Sequence, residues 1–261
     1  MIRLTLRTLY KNKILWAWPG IFLLFTLAAF YWGDISSAQN SHSFKLLMGG
    51  GQIPAGMVMS QLTGFVVLFS IIGFPNHFAK ALKPERGSLL LSKPISRSQF
   101  FLSDFASMLI VAVSYSFLSV ALLAILLGAK AAIFPIQLLI GILLFLPLMM
   151  LTYYITIVLF LILTNSYLAG ALLGWMVTGF SSFFLNGEKI LTMFGLNTDF
   201  AQTTLEVFSY LIPSSAGVEM ILRQIYGGGF SAIDGGLLSF VLASCLPFGA
   251  LGYYLYLNKE F

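Results

Sequence analysis

Charge is what this chain lacks most. Of its 261 residues only 9% are Asp, Glu, Lys or Arg, 59% are hydrophobic, and the mean hydropathy is +0.93. An ordinary soluble domain carries about 25% charged residues. A soluble fold this poor in charge could not cover its own surface. Cysteine is nearly absent as well. Cys245 stands alone inside an apolar run, which excludes an internal disulfide and a cysteine-based metal site and leaves it as a small apolar filler. The two histidines, His42 and His77, fall in loops with no second ligand at metal-binding spacing, so neither zinc nor haem is expected. No G-x-x-x-x-G-K-[ST] occurs, so the chain is not expected to hydrolyse ATP by itself. The balance of 14 Lys+Arg against 9 Asp+Glu is basic. In a membrane chain the placement of those charges matters more than their sum, and no nucleic-acid partner is expected.

What is present is long apolar runs. A bilayer core about 30 Å thick needs roughly 20 apolar residues in a helix. The reading is a single all-α polytopic membrane domain over residues 1–261, with six transmembrane helices at about 14–33, 54–74, 105–128, 135–163, 167–185 and 235–257. The first is expected to be a retained anchor. Its apolar stretch outruns a signal-peptide core, and Phe30-Tyr31-Trp32 is too bulky for a signal-peptidase site. Between Ala131 and Gly187 no residue is charged, and about 85 Å of helix is too long for one crossing. Thr164-Asn165-Ser166 is the expected reversal. Pro19, Pro147 and Pro247 lie within spans and are expected to kink or break them. Gly170 and Gly174 form a G-x-x-x-G pair suited to close helix approach.

Orientation follows the basic residues. With a cytoplasmic N-terminus, Arg3, Arg7, Lys11, Lys13, Lys80, Lys83, Arg86, Lys93, Arg97 and Lys259 lie inside, and Lys45, Lys130, Lys189 and Arg223 lie outside. Six crossings return the C-terminus to the cytoplasm, placing the chain in the inner (plasma) membrane with both termini inside.

Three segments outside the spans have organisation of their own. Arg3, Arg7 and Lys11 recur every four residues as one basic stripe. That stripe fits an interfacial helix on the cytoplasmic leaflet or a plain topogenic signal, and the two are compatible. In the loop from His77 to Gln99, Pro84 suits a first helical position and Lys93-Pro94 a stop. Ser96-Arg97-Ser98-Gln99 is then a capping-box pattern that starts the next helix. The segment from Gly187 to Asp234 is too apolar for a free loop. It reads as amphipathic or re-entrant helices on the outer face: one capped by Asn197 or Thr198 and running through Leu211, the next from Pro213-Ser214-Ser215 to Gly227-Gly228-Gly229. Gly49-Gly50-Gly51-Gln52 reads as a flexible loop leading to Pro54. Asp104 is the acidic residue nearest membrane depth. It is expected to snorkel or to pair with Arg97 or Lys93 in a structural role. Intramembrane protease or lipid-modifying chemistry would need polar groups converging at one depth, and no such set is visible.

The charged loop from Pro84 to Gln99 resembles that of type-2 ABC exporter permeases. That family shows an acidic residue, Gly-Ser, a Leu-rich stretch ending in Leu-Ser, then Pro-Ile-Ser-Arg, as in Glu85 to Arg97 here. The C-terminal run Tyr253 to Phe261 is similar to the family's terminus, while Asp104 stands where many relatives carry a lysine. The resemblance implies a cytoplasmic coupling helix over 84–92, with Glu85, Arg86, Gly87, Ser88, Leu89, Leu90 and Leu91 docking on a separate ATPase. Ser96, Arg97 and Gln99 would cap the next helix. It further implies two ATPase subunits that hold ATP and Mg, a second permease copy or paralogue, and lipid contact. No cofactor is implied in this chain. The alternative is a membrane scaffold of the same kind of complex that acts mechanically without a transported substrate.

Overall fold

The computed structural model describes residues 6, 13–37, 44–48, 51–54, 78–79, 82, 96–132, 134–193 and 199–259. The stripe Arg3, Arg7 and Lys11, the loop residues 85–91, and nearly all of the expected span at 54–74 lie outside these.

The chain is mostly helical. Among the described residues four stretches are long and apolar enough to cross a membrane: Arg97–Lys130, Ile136–Thr164, Tyr167–Leu185 and Gly235–Leu257. In chain order, α1 is Lys13–Trp32, α2 is Arg97–Ala131, α3 is Ile136–Thr164, α4 is Tyr167–Gly179 and α5 is Ser181–Leu185. Then come α6 (Gly187–Met193), α7 (Asp199–Leu211), α8 (Ser215–Gly228), a 3-10 turn at Phe230–Ala232, and α9 (Gly235–Leu257).

One expectation needs correction. The segment after α1 is not a plain loop but a small antiparallel sheet, β1 (Gly33–Ser37), β2 (Phe44–Met48) and β3 (Gly51–Pro54), with Gly33 opposite Met48 and Lys45 opposite Pro54. Gly33 therefore belongs to a strand rather than to the first span, and Pro54 closes a strand rather than opening the second span.

Helix α2 starts where its cap dictates. Ser96 Oγ accepts from the Gln99 amide at 3.1 Å, and the Ser96 amide donates to Gln99 Oε1 at 3.4 Å. This completes the capping box. The helix then runs unbroken for 35 residues, about 52 Å, longer than the 105–128 span and longer than a bilayer core. It ends at Ala132, whose φ of 51° is left-handed, just before Phe134-Pro135.

Helix α3 is the centre of the molecule: 72% of its apolar window is buried, against 22–33% for the other three candidate spans. It packs against α2, α4, α8 and α9. Both α3 and α9 continue through their prolines, Pro147 and Pro247, so neither proline breaks its helix. Asn165, at φ 53°, turns the chain between α3 and α4, and Ser166 caps α4. The glycine pair sits on this contact. A Cβ at Gly170 would lie 2.8 Å from the Leu161 backbone, and one at Gly174 would lie 2.7 Å from Ile157 Cα. The span is notched at Phe180, between α4 and α5.

The segment 187–234 folds as a hairpin whose two arms, Gln202–Leu211 and Ser215–Tyr226, meet at 87°. Contacts along α7 run inward: Leu205 lies beside Gly187, Phe208 beside Phe184, and Tyr210 beside Phe240. At the bend the Ser214 amide donates to Ser244 Oγ, and Ser215 Oγ lies 3.2 Å from the Thr178 carbonyl and 3.4 Å from Tyr153 Oη. Helix α8 then runs back out along α3, past Gly141, until the Phe230 amide donates to Gln137 Oε1. Both arms thus open at the same end of the bundle, here termed the Asp234 end. The two arms form a bent helix pair whose tip is buried among α3, α4, α5 and α9.

Candidate functional site

The opposite end, where α2 begins, gathers polar groups that an apolar bundle does not need for packing alone. Arg97 Nη1 donates to the Leu257 carbonyl at 3.0 Å and to the Lys259 carbonyl at 2.5 Å. These lie at the C-terminal end of α9, where backbone acceptors have no partner within the helix and the helix dipole favours a cation. Arg97 therefore serves the start of one helix and the end of another. Ser98 Oγ and Tyr253 Oη lie 2.8 Å apart, which joins the same two helices a second time. Lys259 Nζ donates to the Ile162 carbonyl at 2.5 Å, which ties the tail of α9 to the last turns of α3. Partial burial pushes the Lys259 ammonium pKa down from its ordinary value.

An aromatic layer lies beneath these bonds. Tyr256 packs against Phe78, Phe100 and Phe101, with centroid separations of 5.5, 6.1 and 5.4 Å, and Phe101 meets Tyr253 at 5.5 Å. Phe78 is 1% exposed, so the chain leading into the 83–95 loop is anchored in the same cluster that receives the chain leaving it.

Two turns deeper sits Asp104, 4% exposed. Tyr154 Oη, from the middle of α3, donates to Asp104 Oδ2 at 2.5 Å. A carboxylate at this depth is costly without a donor. The sequence suggested Arg97 or Lys93 as the partner. Lys93 lies outside the described residues, and the structure adds Tyr154, a residue that had been read only as part of an uncharged stretch, as a donor to Asp104.

Of the expected site residues, Ser96, Arg97 and Gln99 come together as the cap. Tyr154, Tyr253, Tyr256, Lys259 and Phe78 are additions. For the three tyrosines the signal in the sequence was the placement of hydroxyls inside or at the end of apolar spans, where a hydroxyl wants a partner. Among the described residues no group of three His, Cys, Asp or Glu could hold a metal ion. These bonds tie the start of α2 to the end of α9, and the tail of α9 to the end of α3. No family model matches the chain, and no curated protein or solved structure matches it.

Proposed function

We propose that the chain is the membrane-spanning permease subunit of an ATP-driven exporter of the type-2 ABC kind, moved by a separate ATPase that docks on the 84–92 segment. The observation that carries this reading is the joint at the loop's exit. The loop with the family-like pattern leads into a capping box whose arginine also holds the end of the last helix. A loop needed only for topology has no use for such a joint, because a few residues would connect two spans.

The six-span topology belongs to the proposal, and two juxtapositions support it. Lys130 Nζ lies 5.2 Å from the centre of the Phe30 ring, so α1 and α2 end at the same end of the bundle and run the same way. The sheet that closes at Pro54 follows α1 directly, whereas Phe78 lies in the aromatic cluster at the Arg97 end. As helix, residues 55–77 would reach about 35 Å, enough to connect the two ends. The basic residues then make the Arg97 end cytoplasmic.

The test is purification of the chain from its native membrane together with whatever ATPase is bound, followed by reconstitution in vesicles. A bound P-loop ATPase and ATP-dependent flux support the exporter. A bound ATPase with hydrolysis but no flux of any candidate amphiphile moves the assignment to a mechanical scaffold. The absence of any bound ATPase contradicts both.

A further inference from the structure

Helix α7 is turned opposite to a helix on a water-exposed surface. Phe200, Val207 and Leu211 are 83%, 53% and 43% exposed, and at about 100° per residue they share one face. Gln202, Glu206 and Ser209 fall on the other side of the helix. They line a cleft of about 320 Å³ that runs inward against Phe184, Leu191 and Phe240. Such inversion suits a helix whose outer face meets lipid chains while its inner face shields a polar space. The cleft lies at the mouth of the hairpin, beside Gly187 at the end of the α4–α5 span. That is the depth of lipid headgroups.

Among the described residues of the polar wall the one charge is the Glu206 carboxylate, beside the Gln202 amide and the Ser209 and Tyr210 hydroxyls. Ser209 spends its hydrogen on the Glu206 carbonyl at 2.7 Å and keeps its lone pairs. None of the described residues that line the cleft is basic, and Glu206 makes no ion pair with a described residue, whereas Glu219 is held by Arg223 at 2.7 Å. A primary ammonium group carries three donors and one positive charge, the complement of this wall. A quaternary ammonium donates none, and an anionic head would meet the Glu206 charge. The aromatic and aliphatic wall opposite suits a glycerol backbone and the first carbons of an acyl chain. We propose that this cleft binds the primary-ammonium headgroup of an ethanolamine phospholipid, with Glu206 as its counter-ion. The proposal does not depend on how the Arg97 end is used.

The experiment is native mass spectrometry of the full chain, with its bound subunits, in detergent doped equally with phosphatidylethanolamine, phosphatidylcholine and phosphatidylglycerol. The ethanolamine lipid should be retained about three- to tenfold over each of the others, the span between an exposed ion pair and a charge-assisted hydrogen bond. Glu206→Gln should abolish that preference and Glu206→Asp should keep part of it. Glu206 is exposed, so neither change should harm folding. Glu219→Gln should leave the preference as it is. Equal retention of the three lipids, preference for the choline or glycerol head, or a preference that survives Glu206→Gln overturns the proposal.

Discussion

A carboxylate held at 4% exposure needs a donor, and the Asp104–Tyr154 bond is the interaction within the bundle most open to a direct test. Removing the Tyr154 donor alone leaves Asp104 Oδ2 short of one hydrogen bond, whereas removing both groups removes that need. Tyr154→Phe is expected to destabilise the protein by about 1–2 kcal/mol and to have little effect in an Asp104→Leu background. A double-mutant cycle by denaturant unfolding in micelles measures the difference. Effects that add within about 0.3 kcal/mol would remove the pair from the account. This bond also marks a limit of sequence reading. Asp104 stood out because charge is scarce, but its partner lies 50 positions away on another helix, and no local pattern connects them. The same holds for Arg97. Its role in the cap is local and visible at i, i+3, while its grip on α9 spans 160 positions and is not.

Elements that answer to local rules were legible. The last span was read as 235–257 and is α9 at Gly235–Leu257, the fourth was read within one residue, and Thr164-Asn165-Ser166 is the turn between α3 and α4. The sheet at 33–54 was not legible, because the glycine run reads equally as a loop and the strands are too short to show alternation. The glycine pair in α4 gives the second prediction. Gly174 faces the α3 backbone with no room for a Cβ, so Gly174→Leu should separate α3 from α4 and lower the unfolding midpoint sharply. The same change at Gly179, which has nothing within 4 Å, should be mild. Equal effects at the two positions would mean that the contact is not a close one. The hairpin gives the third. Single cysteines placed at Asp199 and Ser231 in a Cys245→Ala background should both label from the same side of the membrane with an impermeant reagent. Labelling from opposite sides would make α7 and α8 a broken span.

At the scale of the whole molecule, the two ends of the bundle differ in kind. The Asp234 end is closed by a hairpin buried among α3, α4, α5 and α9 and stitched by serine hydroxyls. At the Arg97 end hydrogen bonds tie α2 to α9 and the tail of α9 to α3. On the proposed reading work arrives through residues 84–92, and that is the central claim. The most direct measurement is ATP hydrolysis by the purified complex in lipid nanodiscs, with the native chain and with Glu85→Arg combined with Arg86→Glu. The account predicts that the double variant loses the bound ATPase, or that any ATPase still bound hydrolyses ATP independently of the membrane chain. A double variant with normal assembly and normal coupled hydrolysis would contradict it.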